Sequence, residues 1–214
     1  TGTSADAFYL YQGNSTNTVA YTSPSFSGFQ AELQYGLKET TANRNTTVLA
    51  LNYDAGPLHI GGGYVNGTDN YLGGDRAKQF GLRGLYEMGA LTRGAYFIND
   101  KVDFVGGDVK RNAYRLSAQY NIGAGELHAN LGFAGKLKAA GTTLDGTDAR
   151  QFTLGYNHNL SKRTKVYAFY TRIDNKEFAA YALGGGQAPE LAGAVRGAGG
   201  IDPSSLAIGI RHNF

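Results

Sequence analysis

Three arginines, Arg83, Arg93 and Arg115, stand on three successive stretches of alternating apolar and polar residues. Read by period two, each falls on the polar side of its stretch. Guanidinium groups stacked on one face of a sheet have two uses. They form a basic ladder whose summed field concentrates anions, or they pair with Glu87, Glu126 or loop acids and stiffen the sheet. Lys165 joins the set only if its side chain turns to the same face, and Val166–Tyr170 is apolar on both faces, which leaves that direction open. Glu32 and Asp6 are the acidic candidates near the start of the chain. Charges of this kind, at these depths in a sheet, need water or partners.

Other chemistry is poorly supported. His59, His128, His158 and His212 fall on separate strands or turns with no metal-ligand spacing, and read as solvated histidines. Gly61-Gly62-Gly63 and Gly184-Gly185-Gly186 precede no Gly-Lys-Ser/Thr and no helical pattern, so neither reads as a phosphate loop. The first suits a flat wall against which something packs. No G-x-S-x-G elbow is present. No catalytic residue, cofactor or metal is expected.

The elements that must carry these side chains are strands. The chain has 214 residues with 32 glycines, 15 tyrosines, 4 prolines and no cysteine or tryptophan. Zero cysteine excludes disulfides and thiolate metal sites. Charged residues make up 17%, below the roughly 25% of soluble domains. No run approaches the ~18 apolar residues of a spanning helix. A net charge of +3 without a dense Lys/Arg run gives no reason to expect nucleic acid. No signal peptide is visible at Thr1, so a processed form or a fragment is expected.

Alternation predicts eleven strands, near residues 17–23, 28–37, 46–54, 57–66, 77–87, 90–99, 112–121, 125–135, 150–159, 163–172 and 204–214. Short connections alternate with long ones, the long ones near 38–45, 67–76, 100–111, 136–149 and 173–203. One end of the sheet therefore has tight turns and the other has loops, as in outer-membrane barrels. Tyr21, Tyr35, Tyr53, Tyr64, Tyr86, Tyr96, Tyr120 and Tyr156 are assigned to the apolar face near strand ends, as interfacial girdles require. The expected fold class is all-β, an antiparallel transmembrane β-barrel with its apolar side toward lipid and its polar side toward a wet lumen. A mid-bilayer arginine on the lipid side would cost about 2–4 kcal/mol.

The last strand, Ser205-Leu206-Ala207-Ile208-Gly209-Ile210-Arg211-His212-Asn213-Phe214, resembles the terminal strand of Gram-negative porins. Asn17–Phe29 resembles the strand and turn that follow their third, pore-constricting loop. Leu51–Leu58 is similar to one of their periplasmic hairpins, and Leu154–Thr164 to their penultimate turn. Among these families the chain most resembles the anion-selective general porins of β-proteobacteria. One departure is that Gly13-Asn14-Ser15-Thr16 lacks the arginine those relatives carry before this strand, which leaves ion selectivity open.

The resemblance implies a sixteen-stranded, trimeric barrel, with the eleven strands here as the sixth to sixteenth. Residues 1–214 would be one barrel domain, of which 1–12 is the tail of the constriction loop. It implies passive diffusion of small hydrophilic solutes and ions through a water-filled pore in the outer membrane. Arg83, Arg93, Arg115, Glu32, Lys165 and Asp6 would line that pore. Phe214, Ile210 and Ile208 would be read by the barrel-assembly machinery. Lipid bilayer and lipopolysaccharide would surround the barrel. Two other readings remain: an outer-membrane barrel enzyme of protease or lipase type, and a soluble β-sandwich binding module.

Overall fold

The computed structural model describes residues 17–37, 45–71, 74–183 and 199–214. The strands are β1 (Thr18–Thr22), β2 (Phe29–Gly36), β3 (Thr46–Ala55), β4 (Leu58–Tyr71), β5 (Gly74–Met88), β6 (Leu91–Phe104), β7 (Gly107–Ile122), β8 (Gly125–Ala134), β9 (Lys138–Ala139), β10 (Thr142–Thr143), β11 (Ala149–Asn159), β12 (Thr164–Asn175) and β13 (Ser204–His212). The two shortest, β9 and β10, form a small hairpin docked on β7. The other eleven follow one another in space in the order of the chain. Every pairing is antiparallel.

Tight turns fix the register at one end. Gly56 and Gly89 open two of them at φ of 54° and 59°, a backbone region that costs a glycine nothing. At the other end two expected loops are strands. The β4–β5 ladder runs on to Tyr71 and Gly74, and the β6–β7 ladder to Phe104 and Gly107. Residues 100–111 look like a loop because the outward side chains there, Lys101, Asp103, Asp108 and Lys110, are polar. The backbone groups there still need partners and find them across the hairpin. Lys101 pairs opposite Lys110, and Asp103 opposite Asp108, with the Lys101 ammonium 3.0 Å from Asp103 and 3.3 Å from Asp108.

Burial shows which way the sheet faces. The apolar side is open: Leu51 is 53% exposed, Leu116 55%, Leu154 50% and Ile208 75%. The polar side is crowded: Asp100 is 0% exposed, Gln151 3%, and Thr153 and Asn157 each 7%. A curved sheet crowds side chains on its concave side. The concave side here is polar and the convex side greasy, the reverse of a soluble barrel.

The main buried apolar cluster also lies on the concave side, near the loop end. Ala113, Ala134 and Ala149 are register partners on β7, β8 and β11 and pack with Ile173, Ala179 and Tyr181. The start of the β12–β13 connection therefore folds inward instead of standing outside. It is pinned there by backbone hydrogen bonds from Lys176 to Asp148 and from Phe178 to Gly146. The Asn175 side chain also donates to the Tyr181 carbonyl and accepts from its N–H.

Candidate pore wall

Partners facing each other across antiparallel strands share a face of the sheet, so one concave rung can be followed from strand to strand. It runs Asn52, Gly61, Arg83, Tyr96, Arg115, Gly132, Gln151, Ile173. Arg83 and Arg115 stand on it two strands apart. The Arg83 guanidinium donates to Asn52 Oδ1 at 3.0 Å. Its chain passes over Gly61, where an added Cβ would lie 2.7 Å from Arg83 Nε. Glycine there gives the arginine its path along the wall.

Arg115 is held more deeply, at 8% exposure. It donates to Gln151 Oε1 at 3.0 Å, and its guanidinium carbon lies 5.5 Å from the Tyr96 ring centroid. Both arginines are anchored by amides, and among the described residues neither has an ion pair with an acid.

Arg93 is a correction. It faces Tyr86 on β5 and Ala118 on β7, so it lies on the convex, apolar side. Its guanidinium turns back toward the Gly89 turn, with Nη2 3.8 Å from Met88 Sδ, as a snorkelling side chain would. Tyr96 is displaced with it, onto the concave side. The cause is that β6 is apolar on both faces, with Ala95 and Phe97 outward and Tyr96 and Ile98 inward. Hydrophobicity alone sets its phase wrongly by one residue.

Lys165 is resolved by register. It faces Asn159 and Arg211 on the concave side, with its ammonium 3.8 Å from Glu126. Glu126 is the centre of a polar knot. It accepts from Asn157 at 2.9 Å and Asn159 at 3.2 Å, and His128 Nε2 is 3.4 Å away. Glu32 also faces inward and accepts a hydrogen bond from the Gln34 amide. Asp6 and residues 1–12 lie outside the described residues. Ile208 and Ile210 face outward beside Ala168 and Val166. The Phe214 ring is edge-on to His212, with centroids 4.9 Å apart.

Sequence reasoning missed a second inner charge group. Asp100 faces Arg111 across β6–β7 and accepts from Gln79 at 2.7 Å. Arg111 lies over the Tyr181 ring, 5.0 Å from its centroid. Both charges fell in a stretch read as a loop, and only the continued ladder shows that they face inward.

The histidines make local bonds: His59 to Asp54, His158 to Tyr156 and His212 to Thr164. Among the described residues no three His, Cys, Asp or Glu come together as a metal ion would require.

A greasy convex side, a charged concave side and turns alternating with loops describe one wall of a membrane barrel. A family model described as Gram-negative porin matches residues 1–177. The chain belongs to this porin family. It is 30% identical over 219 residues to outer membrane porin protein 32 of Delftia acidovorans, covering 92% of this chain and 56% of that protein. It is also 22% identical to an outer membrane porin protein of Bordetella pertussis, covering 92% of this chain and 57% of that protein. The solved anion-selective porin from Comamonas acidovorans superposes with a TM-score of 0.75 at 27% identity, over 94% of this chain and 60% of its own. This porin chain thus spans about 56% of its Delftia relative. Its strands match those of an outer-membrane barrel, which places it in the outer membrane of a Gram-negative cell. The relatives are porins, which are not enzymes.

Proposed function

We propose that the whole protein forms a water-filled pore for passive diffusion of small hydrophilic solutes and ions, with a preference for anions. The observation that carries this is the inward rung on which Arg83 and Arg115 are tethered by amides and, among the described residues, have no ion pair with an acid. Charged side chains lining a wet passage set its ion preference. The anion-selective Comamonas porin supports the direction of that preference.

The pore-lining set is then Arg83, Arg115, Glu32 and Lys165, with Asp6 on the constriction-loop tail at 1–12, and Arg93 leaves it. A homotrimer is proposed, supported by the trimer form of OmpT from Vibrio cholerae, whose fold this chain shares with a TM-score of 0.69. Residues 1–214 are taken as part of one barrel domain, and the terminal strand through Phe214 as its assembly signal.

The test is reversal potential in a planar bilayer under a potassium chloride gradient. The wild type should show anion preference, and Arg83→Gln should reduce it. A pore that stays equally anion-preferring without Arg83 would remove the ladder. A protein that hydrolyses lipid or peptide and carries no current would restore the enzyme reading.

A further inference from the structure

The inward face of β12 carries more than a passage for water and ions calls for. From the turn end it reads Lys165, Tyr167, Phe169, Thr171, Ile173. Two aromatic rings thus stand on the wet side of the wall, where an outer-membrane barrel carries polar residues. Register places a glycine beside each: Gly155 on β11 faces Phe169, and Gly209 on β13 faces Tyr167. An added Cβ at Gly155 would run into the Phe169 ring, and one at Gly209 into the Tyr167 ring. The two rings therefore fold sideways, one over each neighbouring strand, and lie along the wall. Each is half-buried, with one face against the wall and the other toward the lumen. Their centroids are 5.9 Å apart, and the His128 ring, 5.7 Å from Phe169, extends the patch.

On the turn side of the rings the wall is cationic. Lys165 and Arg211 face each other across β12 and β13. Arg211 Nε donates to Asn213 Oδ1 at 3.3 Å, and among the described residues Arg211 has no ion pair. Lys165 lies 3.8 Å from Glu126, a carboxylate that already accepts from the Asn157 and Asn159 amides. Two cations thus share one acid. They stand two residues from Tyr167 along the strand, about 7 Å. An anion is repelled from the rings themselves, because the face of a π-system is negative. The pattern fits a solute with two parts: a flat ring that lies on the aromatic patch, and an anionic group that projects toward Lys165 and Arg211.

We propose that Tyr167, Phe169, Lys165 and Arg211 form a subsite on the lumen wall for aromatic carboxylates. The subsite rests on the pore reading above and names a solute class for it. Stacking holds the ring, and the two cations hold the carboxylate, with arginine able to meet both oxygens. Gly155 and Gly209 belong to the arrangement, since a side chain at either would lift a ring off the wall. Every contact is open to water on one side, so the solute is held weakly and leaves again, as flux requires.

The test titrates the chloride current of the whole protein in a planar bilayer with sodium benzoate, and with sodium acetate as the ringless probe, at neutral pH and constant ionic strength. Saturation-transfer NMR on the detergent-solubilised protein reports bound benzoate in parallel. Benzoate should reduce the current saturably at concentrations where acetate does not. Phe169→Leu keeps an apolar side chain beside Gly155 but removes the stacking face. It should weaken the benzoate effect roughly 5-fold, the equivalent of ~1 kcal/mol of ring contact, and leave acetate unchanged. Arg211→Gln covers the case in which Phe169→Leu folds poorly, because Arg211 is exposed; it should weaken benzoate about 3-fold. Arg93→Gln, on the convex side, should change neither probe. Equal effects of benzoate and acetate on the wild type, or an unchanged benzoate effect in folded Phe169→Leu or in Arg211→Gln, would overturn the subsite. Current without bound benzoate would sink the subsite and leave the pore standing, and bound benzoate without current would do the reverse.

Discussion

Leu116→Arg is the substitution that tests the wall directly. Leu116 lies outward on β7 between Ala95 and Leu131, 55% exposed. From Asn112 to Tyr120 the strand rises about 27 Å, or about 21 Å along the barrel axis at a ~40° tilt. Leu116 therefore lies near the middle of the hydrocarbon layer. An arginine at that depth costs about 2–4 kcal/mol, which lowers the folding equilibrium constant roughly 30- to 700-fold. Gln119→Arg, three residues along the same strand, faces inward with Thr92 and His128. Its guanidinium would meet water, and the change should stay within about 0.5 kcal/mol. Reversible folding into phosphatidylcholine vesicles across a guanidinium series would measure both. Equal costs for the two variants, or a larger cost for Gln119→Arg, would show that the greasy side does not face lipid.

Arg83→Gln and Arg93→Gln should separate cleanly in reversal-potential measurements. The first should shift selectivity toward cations, and the second should leave it unchanged because Arg93 faces outward. Gly199→Ala would drive a Cβ into the Glu177 carbonyl, a backbone group that cannot swing aside. At about 1–3 kcal/mol of overpacking the inward segment should loosen, and single-channel conductance should rise. Tyr181→Ala should act in the same direction by removing the ring under Arg111. An unchanged conductance in both variants would place the segment outside the current path. On the loop before β11, the Lys136 ammonium lies 2.6 Å from Asp145 and holds its carboxyl below the usual range. That tie is intact above about pH 4 and is lost as pH falls through the lowered value. The carboxyl carbon shift of Asp145 should titrate below about 3.9 and return there in Lys136→Met. A wild-type midpoint at the ordinary value would show that the pair does not form.

Strand existence and the alternation of turns with loops were legible in the sequence because period-two patterning is strong wherever one face meets hydrocarbon. It fails in two physical situations. Beyond the hydrocarbon, as at Lys101 to Asp108, nothing forces the outward face to be apolar, so a strand reads as a loop. Where both faces are apolar, as in β6, the phase is undetermined, and Arg93 and Tyr96 exchange sides. The inner wall was legible only in part. Arg83 and Arg115 could be placed by their own strands, but their amide tethers come from Asn52 and Gln151 on other strands. Pairing register supplies those partners, and sequence periodicity does not.

In the proposed pore, the alanine floor beneath Tyr181 would make the mouth adjustable without touching the barrel. Ala113, Ala134 and Ala149 come from three strands whose ladders are fixed by backbone bonds, so each can change its side chain while the cylinder stays as it is. A valine or leucine at any one of them would act as a shim, lifting the insert and reshaping the opening by the width of a methyl group or two. If the proposed pore holds, its outer aperture and its membrane-spanning shell would vary independently, so that pores with the same shell would admit solutes of different size.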